Sequence, residues 1–235
     1  MTNNENQAII ALEHVVKRFP SGKTWFTALK DINLTLGRGE FAGLVGPSGS
    51  GKTTLLNLVG SLDSASEGRV DVLGMDVGKM NAKKSATLRK KHLGFIFQTY
   101  NLMPVYTVYE NVEFPLLLLK EKAGKRRKAV MEALEWLGIE SKAKSKPARL
   151  SGGECQRVAI ARAMVKKPEI VLADEPTANL DAENSHHILQ TMEQLNRELG
   201  TTFLFATHDE KVIKYLKRKI RLFDGKVAAD EIIQS

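Results

Sequence analysis

Apolar residues along this chain follow two patterns, and the change between them divides the sequence. Short apolar runs at 9–12, 28–36, 41–45, 68–77, 93–97, 170–173, 202–206, 220–223 and 227–232 are bounded by Gly, Pro and Asp, which predicts strands. Helix-like stretches at 54–62, 82–91, 184–199 and 210–216 separate them. From Gln98 to about Met164 the strand signal disappears and helical spacing takes over, as in Val130, Ala133, Leu134 and Leu137. Strands alternating with helices predict an α/β fold with a mostly parallel sheet covered on both faces. The helical stretch, about 98–164, is expected to form its own lobe within a single domain spanning 1–235.

Pro20-Ser21-Gly22 and Asp224-Gly225-Lys226 read as turns between strands. No repeat, low-complexity tract or long linker interrupts the chain. Its one cysteine, Cys155, excludes an internal disulfide and suits a reducing compartment. Residues 1–7 lack the basic start and apolar stretch of a secretion signal, and no run approaches a bilayer-spanning length of about 20 apolar residues. A location in the cytosol, or at a membrane through another polypeptide, is the expectation.

The formal charge is +8, concentrated at Lys83-Lys84, Arg89-Lys90-Lys91, Lys125-Arg126-Arg127-Lys128 and 214–221. Solvated helix faces, anionic lipid headgroups and nucleic acid all attract such segments. Apolar residues interleave here at helical spacing, as on surface helices. No aromatic residues interleave to stack bases, so nucleic acid ranks last.

One octapeptide changes the picture. Gly46-Pro47-Ser48-Gly49-Ser50-Gly51-Lys52-Thr53 fits the phosphate-binding loop G-x-x-x-x-G-K-[ST], between a strand pattern and a helix pattern. Such a match arises by chance in about one chain per hundred of this length. Glycines let the backbone turn successive N–H groups onto a phosphate, and the following helix adds its positive dipole end. Lys52 reaches the β- and γ-phosphates and Thr53 ligates Mg²⁺ in this chemistry.

Asp174 and Glu175 end an apolar run at 170–173. At the C-terminal edge of a parallel strand, Asp174 is placed to hold Mg²⁺ and Glu175 to activate water. Two acids merely closing a strand before Pro176 would be the bland reading, and the phosphate loop argues against it. Ser151-Gly152-Gly153-Glu154 then offers a hydroxyl, bare backbone and a helix start. That is a capping box, with Ser151 as N-cap and Glu154 as partner. It is equally a second anion cradle, and a chain with two cradles invites a symmetric use in which the second serves a partner's nucleotide.

At this point the sequence resembles the nucleotide-binding subunits of ATP-binding-cassette (ABC) transporters over nearly its whole length. Leu150 to Glu154 matches the LSGGQ-type signature, with Glu154 in the Gln position. Gln98 after Phe95-Ile96-Phe97 matches the Q-loop, Ala178-Asn179-Leu180-Asp181 the D-loop with Asn179 as a departure, and His208 in Ala206-Thr207-His208-Asp209 the switch histidine. Phe19 aligns with the aromatic residue that stacks on adenine. The resemblance implies a P-loop NTPase (RecA-like) core, a small antiparallel β subdomain and an α-helical subdomain. It implies ATP and Mg²⁺ as ligands. Thr53, Gln98 and Asp174 are then metal-binding, Glu175, His208, Gln98 and Lys52 catalytic. Phe19, the loop from Gly46 to Thr54, Ser151, Gly152, Gly153 and Asp181 contact nucleotide.

It further implies an ATP-sandwich dimer with a second copy, integral membrane permease subunits as partners, and a peripheral place on the cytoplasmic face of the inner membrane. The stretch from Leu93 to Leu116, with Gly60-Ser61-Leu62-Asp63, is similar to the lipoprotein-releasing and macrolide-efflux group, LolD-like and MacB-like ATPases. Those ATPases power export or extracytoplasmic mechanical work. The rival reading is a nucleic-acid-maintenance ATPase sharing the cassette. Such chains separate their half-sites with long coiled coils or zinc modules, and between Lys52 and Asp174 there are neither heptads nor Cys clusters. A regulatory subunit without turnover is disfavoured by the presence of both Glu175 and His208.

Overall fold

A computed structural model describes residues 8–233; the leading segment 1–7, read above for a secretion signal, lies outside the described residues. Two sheets divide the strands. β1 (Ile10–Ser21), β2 (Thr24–Leu36), β4 (Glu67–Val72) and β5 (Met75–Asp76) form an antiparallel sheet in the order β2-β1-β4-β5. β3 (Phe41–Val45), β6 (Leu93–Ile96), β7 (Ile170–Asp174), β8 (Thr202–Thr207), β9 (Arg218–Phe223) and β10 (Lys226–Ile232) form the second, in the order β10-β9-β3-β8-β7-β6. Within it β9, β3, β8, β7 and β6 pair in parallel, and β10 closes the edge antiparallel to β9.

Both faces of β3, β6, β7 and β8 are buried, which explains their continuous apolar runs, while β9 and β10 at the edge are partly exposed. Side chains still alternate. Ala42, Leu44, Ile170, Leu172, Leu204 and Ala206 join a core with α1 (Lys52–Val59) and the antiparallel sheet. Phe41, Val171, Ala173, Phe203 and Phe205 join a second core with the helices on the other side. There Phe41 packs its ring 4.7 Å from Phe205 and 5.4 Å from Phe203.

The helical lobe is built from α3 (Val108–Leu118), α4 (Ala123–Trp136) and α5 (Gly152–Met164), packed through Val112, Leu116, Val130, Leu134 and Val158. Thr107 caps α3 and Ser151 caps α5, each through a complete capping box with a Glu three positions on. α2 (Ala82–His92) leads into β6, α6 (Ala182–Leu199) lies between β7 and β8, and α7 (Glu210–Ile213) precedes β9.

Three expectations shift. The helix expected at 54–62 begins at Lys52, because Gly51 in the left-handed region starts it as N-cap. The helix expected to reach 216 stops at Ile213, where the chain turns so that Lys217 N–H can bond the Phe41 carbonyl. Residues 98–107, expected in the helical region, are irregular. Tyr100 and Asn101 are left-handed there, and buried Asn111 of α3 satisfies the main chain by bonding Met103 N–H at 2.8 Å and the Thr107 carbonyl at 2.9 Å.

Truncating Phe41 to Ala would leave a cavity between two other rings, and denaturant melts should show a loss of about 3–5 kcal/mol. Exposed Phe223 is the control: Phe223→Ala should stay within about 0.5 kcal/mol of the parent.

Candidate active site

Val45 at the end of β3 pairs with Thr207 of β8, and Ala206 of β8 pairs with Asp174 at the end of β7. The C-terminal ends of these strands therefore stand side by side, the usual ligand position of an open α/β sheet. A cleft of about 350 Å³ opens there, lined by Phe19, Phe26, Ala28, Ser48, Gly49, Gly51, Lys52, Thr53, Thr54, Gln98, Asp174, Glu175 and His208.

The phosphate loop, with Gly46, Pro47 and Ser50 completing it, links β3 to α1. Gly51 has φ 103°, and a Cβ there would lie 2.9 Å from the Ala28 carbonyl oxygen. Turn and close approach both demand glycine. At Gly46 a Cβ would stand 2.1 Å from the Leu222 carbonyl oxygen. The first N–H groups of α1 have no intrahelical acceptor, leaving donors for an anion. Lys52 curls back into the loop, its Nζ donating to the carbonyls of Gly46 at 2.7 Å and Pro47 at 2.9 Å. Burial lowers the pKa of its ammonium, while Glu175 and Asp174 pull it up.

The Thr53 hydroxyl donates to the Asp174 carboxylate at 3.0 Å. Burial pushes Asp174 above the usual carboxylate range, opposed by Thr53 and Lys52 and reinforced by Glu175. Glu175 takes a left-handed backbone, φ 43°, uncommon for a non-glycine residue and held by its N–H bond to the Ala206 carbonyl. Strand alternation ends at this twist, and Asp174 and Glu175 both line the cleft. Both Glu175 oxygens are engaged: Oε1 lies 2.5 Å from His208 Nδ1, and Oε2 accepts the Thr207 hydroxyl at 3.0 Å.

Other expected site residues lie elsewhere. Among the described residues, Ser151, Gly152, Gly153 and Asp181 are not walls of this cleft. Ser151 Oγ accepts Glu154 N–H at 3.2 Å, and the Ser151 N–H on the Glu154 carboxylate holds that group below its ordinary pKa. Asp181 caps α6 by accepting Asn184 N–H at 2.8 Å. Gly153 abuts Asn184, where a Cβ would lie 2.9 Å from Oδ1.

One cleft residue, Phe26, and one residue behind the cleft wall, Thr207, were not foreseen. Phe26 stands directly across the strand pair from Phe19, giving two rings on one face. Thr207 is fully buried and orients Glu175. Its place beside His208 was the available signal. Phe19 itself is 36% exposed, so it is an open aromatic wall and not a core ring.

A family model described as ABC transporter matches residues 29–178. The chain is 44% identical over 223 residues to the lipoprotein-releasing system ATP-binding protein LolD of Francisella tularensis subsp. tularensis (strain FSC 198), covering 94% of this chain and 96% of that protein. Among solved structures, the dimeric structure of MJ0796, a bacterial ABC transporter cassette, matches with TM-score 0.90 and 40% identity over 96% of this chain and 99% of that one. A dimeric post-hydrolysis state of the same cassette bound to ADP and Pi matches equally well. The structure of cbiO1 from Clostridium perfringens, part of the ABC transporter complex cbiONQ, matches with TM-score 0.87 and 30% identity over 97% of this chain and 89% of that one. This chain belongs to the ABC transporter family, as a LolD-like ATP-binding subunit that hydrolyses ATP.

The capping role of Ser151 can be separated from any ligand role. Ser151→Ala should cost about 1 kcal/mol in denaturant melts, and Ser151→Asp, another good N-cap, should restore stability.

Proposed function

We propose that this chain hydrolyses ATP in composite sites shared with a second copy of itself and drives integral membrane permease subunits. One observation carries this reading: the phosphate loop, Asp174, Glu175 and His208 share a cleft, and the Ser151–Gly153 cradle lies outside it. Head-to-tail pairing gives that cradle a use, with Ser151, Gly152 and Gly153, and Asp181 nearby, closing over the other copy's triphosphate. The dimeric state named for the related cassette supports this pairing.

In this mechanism Phe19, with Phe26 beside it, offers the aromatic face on which the base stacks. N–H groups from Gly46 to Thr54 wrap the phosphates, and Lys52 exchanges two neutral carbonyls for charged phosphate oxygens, a stronger bond. Thr53, Asp174 and Gln98 offer hard oxygen ligands that suit Mg²⁺, and a dication would draw down the raised Asp174 pKa. Bound there, Mg²⁺ supplies neutralisation of charge on the β- and γ-phosphates.

Glu175 takes a proton from water as the water oxygen bonds the γ-phosphorus and the bond to the β,γ-bridging oxygen breaks. His208 must first turn from Glu175 Oε1 toward the γ-phosphate, where with Lys52 it stabilises the transferring charge. Thr207 keeps the other carboxylate oxygen fixed. Loss of the bridging γ-phosphate lets the pair reopen.

No helix among the described residues is long and apolar enough to cross a membrane. In this reading the chain sits peripherally on the cytoplasmic face of the inner membrane, held there by its partner, as the likeness to the lipoprotein-releasing relative supports. A groove of about 530 Å³ beside α2, β6 and α3 is the docking surface, lined by Phe95, Phe97, Met103, Phe114 and Leu118. Arg162 and Lys166 lie in its wall, bonded to carbonyls of Tyr100, Asn101, Arg89 and Lys90. Burial lowers both cations, Lys166 to about 8. Apolar walls with half-buried cations fit an apolar partner helix carrying a carboxylate. By likeness to the lipoprotein-releasing relative, the work done through that partner is export or extracytoplasmic mechanical work.

Glu175→Gln should retain ATP binding and convert the protein to a stable ATP-bound dimer by light scattering; wild-type turnover would remove Glu175 as the base. Lys52→Ala should weaken ATP binding by about tenfold or more in titrations. Leu118→Glu should keep ATPase activity within about twofold and lose the integral membrane protein that co-purifies from detergent-solubilised membranes. Retained co-purification would reject the groove.

A further inference from the structure

Asn179 is the residue at which the D-loop departs from the family pattern, and its side chain has a specific partner. Its Nδ2 donates to the Gln98 carbonyl at 2.8 Å. The two residues belong to different loops: Gln98 follows β6 and lines the cleft, and Asn179 lies between β7 and α6.

The turn that carries Asn179 is closed by its own backbone. Ala178 N–H bonds the Glu175 carbonyl at 3.2 Å, and Leu180 N–H bonds the Thr177 carbonyl at 3.0 Å. Asn179 is therefore held in a hydrogen-bonded turn that starts at Glu175 and ends at the Asp181 cap. The turn after Gln98 is tight as well, with left-handed Tyr100 and Asn101 and a 2.6 Å bond from Asn101 N–H to the Thr99 carbonyl. Arg162 of α5 grips its far side through the carbonyls of Asn101 and Tyr100, both at 2.6 Å. Gly152, at the start of α5, abuts both loops. A Cβ there would lie 3.1 Å from the Tyr100 hydroxyl and 3.5 Å from the Asn179 carbonyl.

We propose that Asn179 is a positioning residue for hydrolysis: its amide sets the backbone of Gln98 from the exposed turn that also carries Glu175. The inference rests on the composite-site reading above, in which Gln98 is a metal ligand and this exposed loop lies at the seam. Closure of a second copy on the loop then moves the Gln98 wall of the cleft directly, with no rearrangement of the sheet between them. The contact needs a donor, because its acceptor is a carbonyl. A carboxylate of the same shape would place two acceptors face to face.

The test uses the full chain. Asn179→Ala and Asn179→Asp remove the donor, and Asn179→Gln keeps one on a longer arm. Without nucleotide, amide hydrogen exchange across residues 98–101 should quicken in the first two by about fivefold, the worth of one ordinary hydrogen bond. Their kcat should fall by a similar factor and the Mg²⁺ concentration for half-maximal rate should rise. ATP affinity without Mg²⁺ should stay unchanged, the melting temperature should fall by no more than about 3 °C, and Asn179→Gln should recover part of the rate. Wild-type exchange and wild-type Mg²⁺ dependence in both donor-free variants would overturn the proposal. So would a rate loss matched by an equal loss of ATP affinity, or a fall in melting temperature of about 6 °C or more, which would mark general damage to the fold. Glu175→Gln, run beside them, separates the two claims: if it fails to dimerise with ATP, the composite-site reading fails first. If it dimerises while Asn179→Ala behaves as wild type, only the Asn179 claim is lost.

Discussion

Because β7, β8 and β3 run parallel and in register, Asp174, Thr207 and Val45 end their strands at one level, and the loops that follow open onto one cleft. The rest of the chemistry depends on that pairing. Parallel strands need long crossovers, and the crossovers here carry β4 and β5 of the antiparallel sheet and the whole helical lobe. Burying both faces of the sheet keeps the strand ends fixed, which permits an uncommon left-handed Glu175 directly after Asp174.

Charges in the cleft are held by partners that a triphosphate can replace. Lys52 rests on two carbonyls, Asp174 on Thr53, and Glu175 on His208 and Thr207. Each of these contacts is a satisfied polar group, so binding exchanges bonds instead of creating them on bare charges. The cradle at Ser151 is likewise satisfied as a helix cap and turned to a different place.

Much of this was legible in the sequence, for local reasons. The phosphate loop, Asp174-Glu175, the Ser151 cap and His208 are each set by a few consecutive residues. The strand pattern was equally plain, but which face of β7 or β8 meets which core was not, because apolar residues occupy both faces. Phe26 escaped notice because its relation to Phe19 exists only through the β1–β2 register. The irregular 98–107 stretch depends on the remote side chains of Asn111, Arg162 and Asn179. The early start of α1 depends on the conformation of a single glycine, Gly51.

The central claim is that the cradle at Ser151 completes the nucleotide site of another copy. Vanadate trapped with nucleotide in the unmodified protein occupies the γ-phosphate position, and irradiation cuts the adjacent backbone. Mass spectrometry of the fragments should find cleavage within the phosphate loop and also at Ser151. Cleavage confined to the phosphate loop would contradict the account.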